Sequence, residues 1–236
     1  VLNTPGRNAR AVAECALGLI LSEVRNIARA HAALAQGRWT RDYPNRDTIP
    51  ELNEKTVGLI GFGSVAQLLA GYLRAMGSRV IAFDPSAAGA PEGVSLVDLD
   101  TLLAESDVIS LHARLTEESR HLLGAPQFAK MKPTAVLVNT ARSGLVDETA
   151  LVDALRDRTI MGAALDVFDD EPLPAGHPLL SLDNATLVPH IAGSTIDAFR
   201  NSPRMLAGHL RRMLQGDSEL PVVNGIAPSL LGAAVH

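Results

Sequence analysis

The sequence predicts an α/β fold in which a doubly wound parallel sheet is covered by helices on both faces. From Lys55 onward, short apolar and β-branched runs alternate with stretches of helical character. Strands that are apolar throughout are typical of sheets buried on both faces. Helices between successive strands indicate right-handed parallel crossovers.

The segment before the sheet is predicted to form one long helix and a loop. Apolar residues recur at helical spacing over residues 7–36, and Gly37 follows as a stop signal. Residues 38–54 contain two prolines and no period, which indicates a connecting loop. We expect strands at 56–61, 79–84, 107–111, 134–139, 160–166 and 185–188, helices at 64–76, 98–105, 117–130 (two short pieces), 147–157 and 195–215, and a tail at 216–236.

The composition argues against several classes of partner. Of 236 residues, 47% are hydrophobic and 20% are charged, and the net charge of -5 comes without a Lys/Arg run that would attract nucleic acid or anionic lipid. The apolar run around Cys15 is too short to span a membrane, and no signal peptide precedes it, which predicts a cytoplasmic protein. Cys15 is expected to pack as a small hydrophobe. No cluster has metal-ligand spacing, so no metal is predicted.

A glycine-rich turn follows the first predicted strand. Gly61, Gly63 and Ala66 match the G-x-G-x-x-G/A phosphate fingerprint of dinucleotide-binding (Rossmann) folds. Gly61 permits the tight turn, Gly63 permits close approach of a pyrophosphate, and Ala66 keeps the helix near its strand. The backbone N–H groups of Ser64 and Val65 would then face the phosphates at the helix N-terminus.

The second strand supplies the acidic residue that completes this motif. Asp84 lies 23 residues after Gly61, where a carboxylate can bind both hydroxyls of the adenosine ribose. Its charge would repel a 2′-phosphate, and no Arg follows it in Pro85-Ser86-Ala87. The sequence therefore predicts NAD in preference to NADP.

Three further segments lie at the carboxyl ends of later strands, where ligands bind in open α/β sheets. They are NTARSGLVD at 139–147, LDVFDDEPLP at 165–174 and VPHIAGST at 188–195. Together with VLNTPGRNARAVAE at 1–14 and SLHARLTEES at 110–119, they closely resemble the D-2-hydroxyacid dehydrogenase family. The resemblance covers nearly the whole chain, in order.

The resemblance implies three catalytic residues. Arg142 corresponds to the arginine that holds the substrate carboxylate, for which a planar guanidinium is well suited. His190 corresponds to the acid/base histidine that protonates the carbonyl oxygen as hydride arrives at carbon. Glu171 corresponds to the carboxylate that orients this ring and favours its protonated form.

The resemblance also assigns the nicotinamide end of the cofactor site. Arg142 and His190 border it, His112 is expected at its rim, and the residues expected to line it are Ala113, Thr140, Ala141, Asp166 and Gly193. The remaining histidines are interpreted as structural or solvated, since the sequence supplies no partner for them: His31, His121, His177 and His209.

Two departures from the family pattern concern single positions, and a third concerns the length. Ser143 stands where glycine is more common, and Ala66 replaces the third glycine of the fingerprint. The family's substrate domain begins upstream of the segment that matches residues 1–14, so we expect that part to be missing here, together with the loop that closes the cleft.

The resemblance divides the chain into an interdomain and dimer helix with its loop at 1–54, an NAD-binding domain at 55–194, and a helix and tail at 195–236. It predicts a homodimer that exchanges hydride between NAD(H) and a small 2-oxo or D-2-hydroxy acid. Two alternatives remain: an NAD(H)-sensing, corepressor-like binding protein, and a catalytically impaired truncated homologue.

Other dehydrogenase types fit less well. The short-chain type needs Lys four residues after Tyr, but Tyr43 is followed at that spacing by Asp47 and Tyr72 by Met76. Formate dehydrogenases carry an amide where Glu171 stands. The sequence does not identify the 2-oxo acid.

Overall fold

The computed structural model describes residues 3–43, 51–217 and 220–221, and its centre is a seven-stranded sheet. Every neighbouring pair of strands is parallel, and the strand order is β3-β2-β1-β4-β5-β6-β7. The predicted fold class is therefore confirmed. The strands are β1 Thr56–Ile60, β2 Arg79–Phe83, β3 Val94–Leu96, β4 Val108–Leu111, β5 Val136–Asn139, β6 Gly162–Leu165 and β7 Ala185–Leu187.

The helices cover both faces of this sheet, and three of them begin at a side-chain cap. Asp98, Asp147 and Thr195 each accept a hydrogen bond from the backbone N–H three residues later, which fixes the starts of α4, α6 and α7. No helix among the described residues is long and apolar enough to cross a membrane. The helices are α1 Ala9–Val24, α2 Ile27–Ala35, α3 Ser64–Ala75, α4 Leu99–Glu105, α5 Ala125–Phe128, α6 Glu148–Arg156 and α7 Ile196–Leu214.

The single helix predicted over 7–36 was wrong, because the structure has two helices there. Asn26 lies between them with a left-handed φ of 55°, and its side-chain oxygen accepts a hydrogen bond from Arg29 at 3.2 Å. The helical spacing of the apolar residues continues across this break, so the pattern did not reveal it. α1 buries Ala13, Ala16 and Ile20 completely, whereas α2 buries only Ala33.

Two other expectations need correction. β3 was not predicted, because this three-residue edge strand is mostly exposed and so lacks an apolar run. Of the two helical pieces expected within 117–130, only α5 forms, and turns precede it. The predicted loop is irregular over 38–43 and 51–54; residues 44–50 and most of the predicted tail lie outside the described residues.

The sheet separates two apolar clusters. One contains side chains of α4, α5 and α6, and the other contains α1 and α3. From β1 the chain moves outward through β2 and β3, and β4 then returns to the other side of β1. The strand order therefore reverses between β1 and β4, where doubly wound sheets open a ligand-binding crevice at the carboxyl ends of the strands.

Candidate active site

The turn after β1 is tight because Gly61 lies directly against the end of β4. Gly61 has a φ of 85°, and a Cβ placed on it would lie 2.5 Å from the backbone nitrogen of Ala113. Only glycine adopts this conformation and this approach without strain. The sequence therefore assigned the correct role to Gly61 in the turn, and Ala113 is the residue that makes glycine necessary.

Gly63 differs from Gly61 because it faces open space. A Cβ at Gly63 would meet no atom within 4 Å, and no side chain caps the N-terminus of α3, which begins at Ser64. The first turn of a helix presents free N–H groups, here those around Ser64, Val65 and Ala66, with a partial positive charge. This end of α3 can therefore receive a phosphate group.

Asp84 joins the end of β2 to the glycine turn. Its Oδ2 accepts a hydrogen bond from the N–H of Phe62 at 2.8 Å, and its Oδ1 accepts one from Ser86 at 2.8 Å. Each carboxylate oxygen can still accept another bond. Asp84 thus holds the turn in shape, which its position in the sequence did not indicate. Its carboxylate oxygens can also accept hydrogen bonds from ribose hydroxyls.

His112 lies at the end of β4, next to the crevice, with its ring turned back onto the strand. Its Nε2 lies 3.0 Å from the Oγ of the fully buried Ser110. Burial lowers the pKa of His112 to about 4, so its ring is neutral at pH 7. A neutral ring at this place adds no charge to the rim.

The turn after β5 is fixed by the buried side chain of Asn139. Its Oδ1 accepts a hydrogen bond from the N–H of Ala141 at 3.0 Å, and its Nδ2 donates to the carbonyl of Arg142 at 2.9 Å. Arg142 itself is exposed and donates to the carbonyl of Ala141 at 2.6 Å. This function of Asn139 was not predicted from the sequence, although Asn side chains commonly close such turns.

Glu171 and His190 form the central side-chain pair of the site. Glu171 Oε2 lies 2.7 Å from His190 Nδ1, and Glu171 Oε1 accepts a hydrogen bond from the N–H of Phe168 at 3.1 Å. The hydrogen bond from His190 holds the pKa of Glu171 below its ordinary value, and the charges of His190 and Arg142 act in the same direction. The predicted contact between Glu171 and His190 is present.

Asp166 fixes the turn that carries His190. Its carboxylate accepts hydrogen bonds from the N–H groups of Ile191 at 2.6 Å and Ala192 at 3.0 Å, directly after the histidine. Burial raises the pKa of Asp166, although these two bonds and the charge of His190 oppose the rise. His190 has a φ of 52°, a conformation that non-glycine residues rarely adopt and that is often found at functional sites.

Gly193 lies close to the residue that precedes α1. A Cβ on Gly193 would lie 2.5 Å from the side-chain nitrogen of Asn8, the residue before α1. Because this atom is the end of a flexible side chain, a rotation of Asn8 could make room for a Cβ. Its predicted place beside the nicotinamide stays a prediction.

Outside this site, Cys15 and His177 have surroundings that bear on their expected roles. Burial, followed by the charge of Asp166, raises the pKa of the Cys15 thiol, which therefore stays protonated and is a poor nucleophile. His177 does have a partner, Glu148, at 3.0 Å. Among the described residues, no group of three or more His, Cys, Asp or Glu side chains could hold a metal ion.

Two observations fit a bound dinucleotide. The hydroxyl of Thr140 is buried and has no hydrogen-bond partner within the described part of the chain, although buried hydroxyls are normally paired. Gly63 leaves space in front of α3 where a phosphate would approach. Thr140 lies at the end of β5 and Gly63 after β1, so they lie on both sides of the crevice beside β4.

Comparisons with known proteins agree with this geometry. The sequence model for the NAD-binding domain of D-isomer-specific 2-hydroxyacid dehydrogenases matches residues 17–192. A glyoxylate reductase of Thermofilum pendens is 42% identical over 229 residues, which cover 95% of this chain and 68% of the relative. A hydroxypyruvate reductase of Thermotoga maritima is 46% identical over 203 residues, which cover 85% of this chain and 65% of the relative.

A solved structure extends the comparison to three dimensions. D-lactate dehydrogenase of Lactobacillus jensenii, solved with NAD⁺, superposes with a TM-score of 0.81 at 32% identity, over 95% of this chain and 72% of that one. The chain spans about two thirds of the length of the glyoxylate reductase and the hydroxypyruvate reductase.

Proposed function

This chain belongs to the D-isomer-specific 2-hydroxyacid dehydrogenase family, and we propose on that basis that it exchanges hydride between NAD(H) and a 2-oxo acid. The family match confirms the prediction of an NAD-binding domain. The observation that carries the proposal is the contact of 2.7 Å between Glu171 and His190 at the crevice.

The cofactor would lie across the carboxyl ends of the strands. The open N-terminus of α3 would hold the pyrophosphate, and Asp84 would accept hydrogen bonds from the adenosine ribose. Thr140 would donate its free hydroxyl toward the nicotinamide end. Bound NADH would supply the hydride.

His190 would transfer the proton. With Nδ1 hydrogen-bonded to Glu171, the other ring nitrogen is available to the substrate oxygen. In the protonated ring, Nε2 donates its proton to the carbonyl oxygen during reduction. In the reverse direction, the neutral ring accepts that proton at Nε2, while Glu171 keeps the remaining proton on Nδ1.

Arg142 would bind the carboxylate of the 2-oxo acid. Its side chain is exposed, and the hydrogen bond that it makes to the Ala141 carbonyl leaves other N–H groups of the guanidinium available. Asn139 fixes the backbone on both sides of this residue. A bidentate grip on the carboxylate would place the neighbouring carbonyl near His190.

A sensor function without turnover is the second candidate. The side chain of His190 is 52% exposed, so the described residues do not exclude water from this pair. Active dehydrogenases need that exclusion. A chain that binds NADH and turns over no 2-oxo acid would fit an NAD(H)-sensing role or an impaired homologue.

We also propose that the protein forms a homodimer and lies in the cytoplasm. Three apolar side chains on α2 and just after it are more than half exposed, namely Ile27, Leu34 and Trp39. Such a surface favours burial against a second copy. Sedimentation would give the oligomeric state, and cell fractionation would give the location.

The test is NADH consumption by this chain against a panel of 2-oxo acids, with His190→Ala and His31→Ala compared. We expect turnover that falls at least about a hundredfold in His190→Ala, the usual range for loss of a general acid. His31, an exposed residue of α2, provides the matched control and should leave turnover unchanged. NADH binding without turnover of any 2-oxo acid would reject the enzyme and favour the sensor.

A further inference from the structure

The segment that carries Glu171 is fixed at both ends by one carboxylate of α6. We call residues 168–179, between β6 and β7, the Glu171 loop. Glu148 Oε2 accepts a hydrogen bond from the N–H of Asp169 at 3.2 Å, near the start of this loop. Glu148 Oε1 lies 3.0 Å from Nε2 of His177, near the end of the loop. The two oxygens of one side chain therefore join the two ends.

The hydrogen bonds of His177 determine where its ring proton lies. The N–H of Leu179 donates to His177 Nδ1 at 3.3 Å, so Nδ1 carries no hydrogen. The proton is then on Nε2, which donates it to Glu148. The two side chains are each 16% exposed, whereas those of Glu171 and His190 are 37% and 52% exposed. The buried pair is therefore shielded from water far better than the pair at the crevice.

Between these two anchors, the loop holds Glu171 against His190. Glu171 Oε1 accepts from the N–H of Phe168, next to Asp169, whose N–H donates to Glu148. Glu171 Oε2 then reaches His190. Release of Asp169 and His177 would remove the polar contacts near both ends of the loop, although Phe168 and Leu179 would still pack in the core. Among the described residues, the N–H of Phe168 would then be the loop contact that remains to the Glu171 carboxylate.

We propose that Glu148 and His177 are a positioning pair for catalysis, and that their hydrogen bond sets the loop so that Glu171 fixes the tautomer of His190. The inference rests on the proposed role of His190 as acid and base. Neither Glu148 nor His177 touches the crevice pair directly. Residues that hold the partners of a reacting group commonly affect activity, and at metal-bound histidines the loss of such a partner costs about tenfold to a hundredfold.

The experiment compares Glu148→Ala and His177→Ala with Asp153→Ala. Asp153 lies on the same helix and forms an ion pair with Arg156 in which both side chains are more than half exposed, so its loss tests α6 without touching the loop. The ring ¹⁵N resonances of His190 report its tautomer without substrate. We expect the neutral ring to carry its proton on Nδ1 in the wild type and in Asp153→Ala, and to become a mixture of tautomers in the other two variants.

Turnover and NADH affinity give the second measurement. We expect kcat/KM for the 2-oxo acid to fall about tenfold in Glu148→Ala and His177→Ala, with the Kd for NADH unchanged. Loss of thermal stability with an unchanged His190 tautomer would overturn the proposal, because the pair would then serve the fold alone. If an alanine variant does not fold, Glu148→Gln tests the proposal instead. It keeps the size of the side chain but has one acceptor oxygen, so it cannot accept hydrogen bonds from both Asp169 and His177.

The two proposals fail in different ways. If the wild-type chain turns over no 2-oxo acid, the dehydrogenase function fails, yet the tautomer of His190 still tests the positioning pair. If turnover is present and the tautomer is the same in all variants, the positioning pair is rejected and the dehydrogenase function stands.

Discussion

The turns in the two halves of the crevice are held by different kinds of contact. In the nucleotide half, formed by β1, the turn at 61–63, α3 and β2, glycines without a Cβ set the shape of the turn, and Asp84 supports it from the end of β2. In the catalytic half, after β5, β6 and β7, side chains such as Asn139, Asp166 and Glu171 hold the turns. The nucleotide half should therefore be sensitive to added atoms, and the catalytic half to lost hydrogen bonds.

The largest effect is expected from adding one methyl group in the nucleotide half. Gly61→Ala should destabilise the fold by about 3 kcal/mol, because the φ of 85° strains alanine and the new Cβ meets the backbone of Ala113. Gly63→Ala should leave the free energy of unfolding nearly unchanged and weaken NADH binding instead, since its Cβ enters open space. Urea unfolding and NADH titration separate the two.

Gly71→Ala supplies the control for these substitutions. Gly71 lies inside α3, a Cβ there meets nothing within 4 Å, and alanine is the better helix former. We expect a small gain in stability and unchanged NADH binding. Equal losses of stability in Gly61→Ala and Gly63→Ala would contradict the distinction between a crowded and an open glycine.

In the catalytic half, the corresponding experiment removes the side chain that closes the Arg142 turn. Asn139→Ala should cost about 2 kcal/mol, because the Ala141 N–H and the Arg142 carbonyl lose the hydrogen bonds that the buried Asn139 side chain makes to them. It should also raise the KM for the 2-oxo acid, since Arg142 is no longer held. Steady-state kinetics and urea unfolding measure the two effects.

Asn184→Ala is the matched control for that prediction. Asn184 is equally buried, and its Nδ2 donates to the carbonyls of Leu155 and Met161, outside the crevice. We expect a similar loss of stability with an unchanged KM. A rise in KM in both variants would show that general loosening of the fold explains the kinetics.

The same contrast explains how much of the molecule the sequence could predict. The six predicted strands were found within about two residues at each end, because parallel strands inside a covered sheet are mostly apolar. β3 was missed because it is exposed, and the break at Asn26 was missed because α1 and α2 keep the same apolar spacing. The glycine turn was predicted because the positive φ of Gly61 is a local requirement, whereas its close contact with Ala113 was not predicted.

The catalytic half was less visible in the sequence alone. Arg142, Glu171 and His190 were assigned by resemblance, since nothing local indicates that Glu171 meets His190. The role of Asn139 and the pair of Glu148 with His177 were not predicted; the latter joins residues 29 positions apart. Such contacts depend on how the loops fold over the sheet, and neither periodicity nor a turn motif records them.

A smaller effect is expected for cofactor choice. Asp84→Asn should raise the preference for NADPH over NADH about tenfold, because the repulsion of a 2′-phosphate is removed while an acceptor for Phe62 remains. The Kd values for both cofactors provide the measurement. Asp100→Asn, which removes an exposed carboxylate paired with Lys130, should leave the ratio unchanged. An unchanged ratio in Asp84→Asn would remove Asp84 from cofactor selection.

The smallest effect concerns the stability that Glu171 supplies. Its pKa in the fold lies below the ordinary value of 4.5, chiefly because His190 donates a hydrogen bond to it. A carboxyl with a depressed pKa stabilises the fold fully above its unfolded pKa, and this contribution is lost as the pH falls through the folded pKa. Because Glu171 is partly exposed, we expect less than about 1 kcal/mol.

Glu171→Gln isolates this charge, because the amide oxygen can still accept a hydrogen bond from His190. The wild type should therefore exceed Glu171→Gln in free energy of unfolding above the ordinary pKa of a glutamate, and the difference should shrink as the pH falls through the lower pKa of Glu171 in the fold. Urea unfolding at several pH values gives the free energy of unfolding as a function of pH. Glu117→Gln, at an exposed carboxylate, is the control, and its curve should run parallel to that of the wild type. If the difference between wild type and Glu171→Gln is independent of pH, the contact with His190 does not lower the pKa of Glu171 in the fold, and the charge of Glu171 adds no stability through that contact.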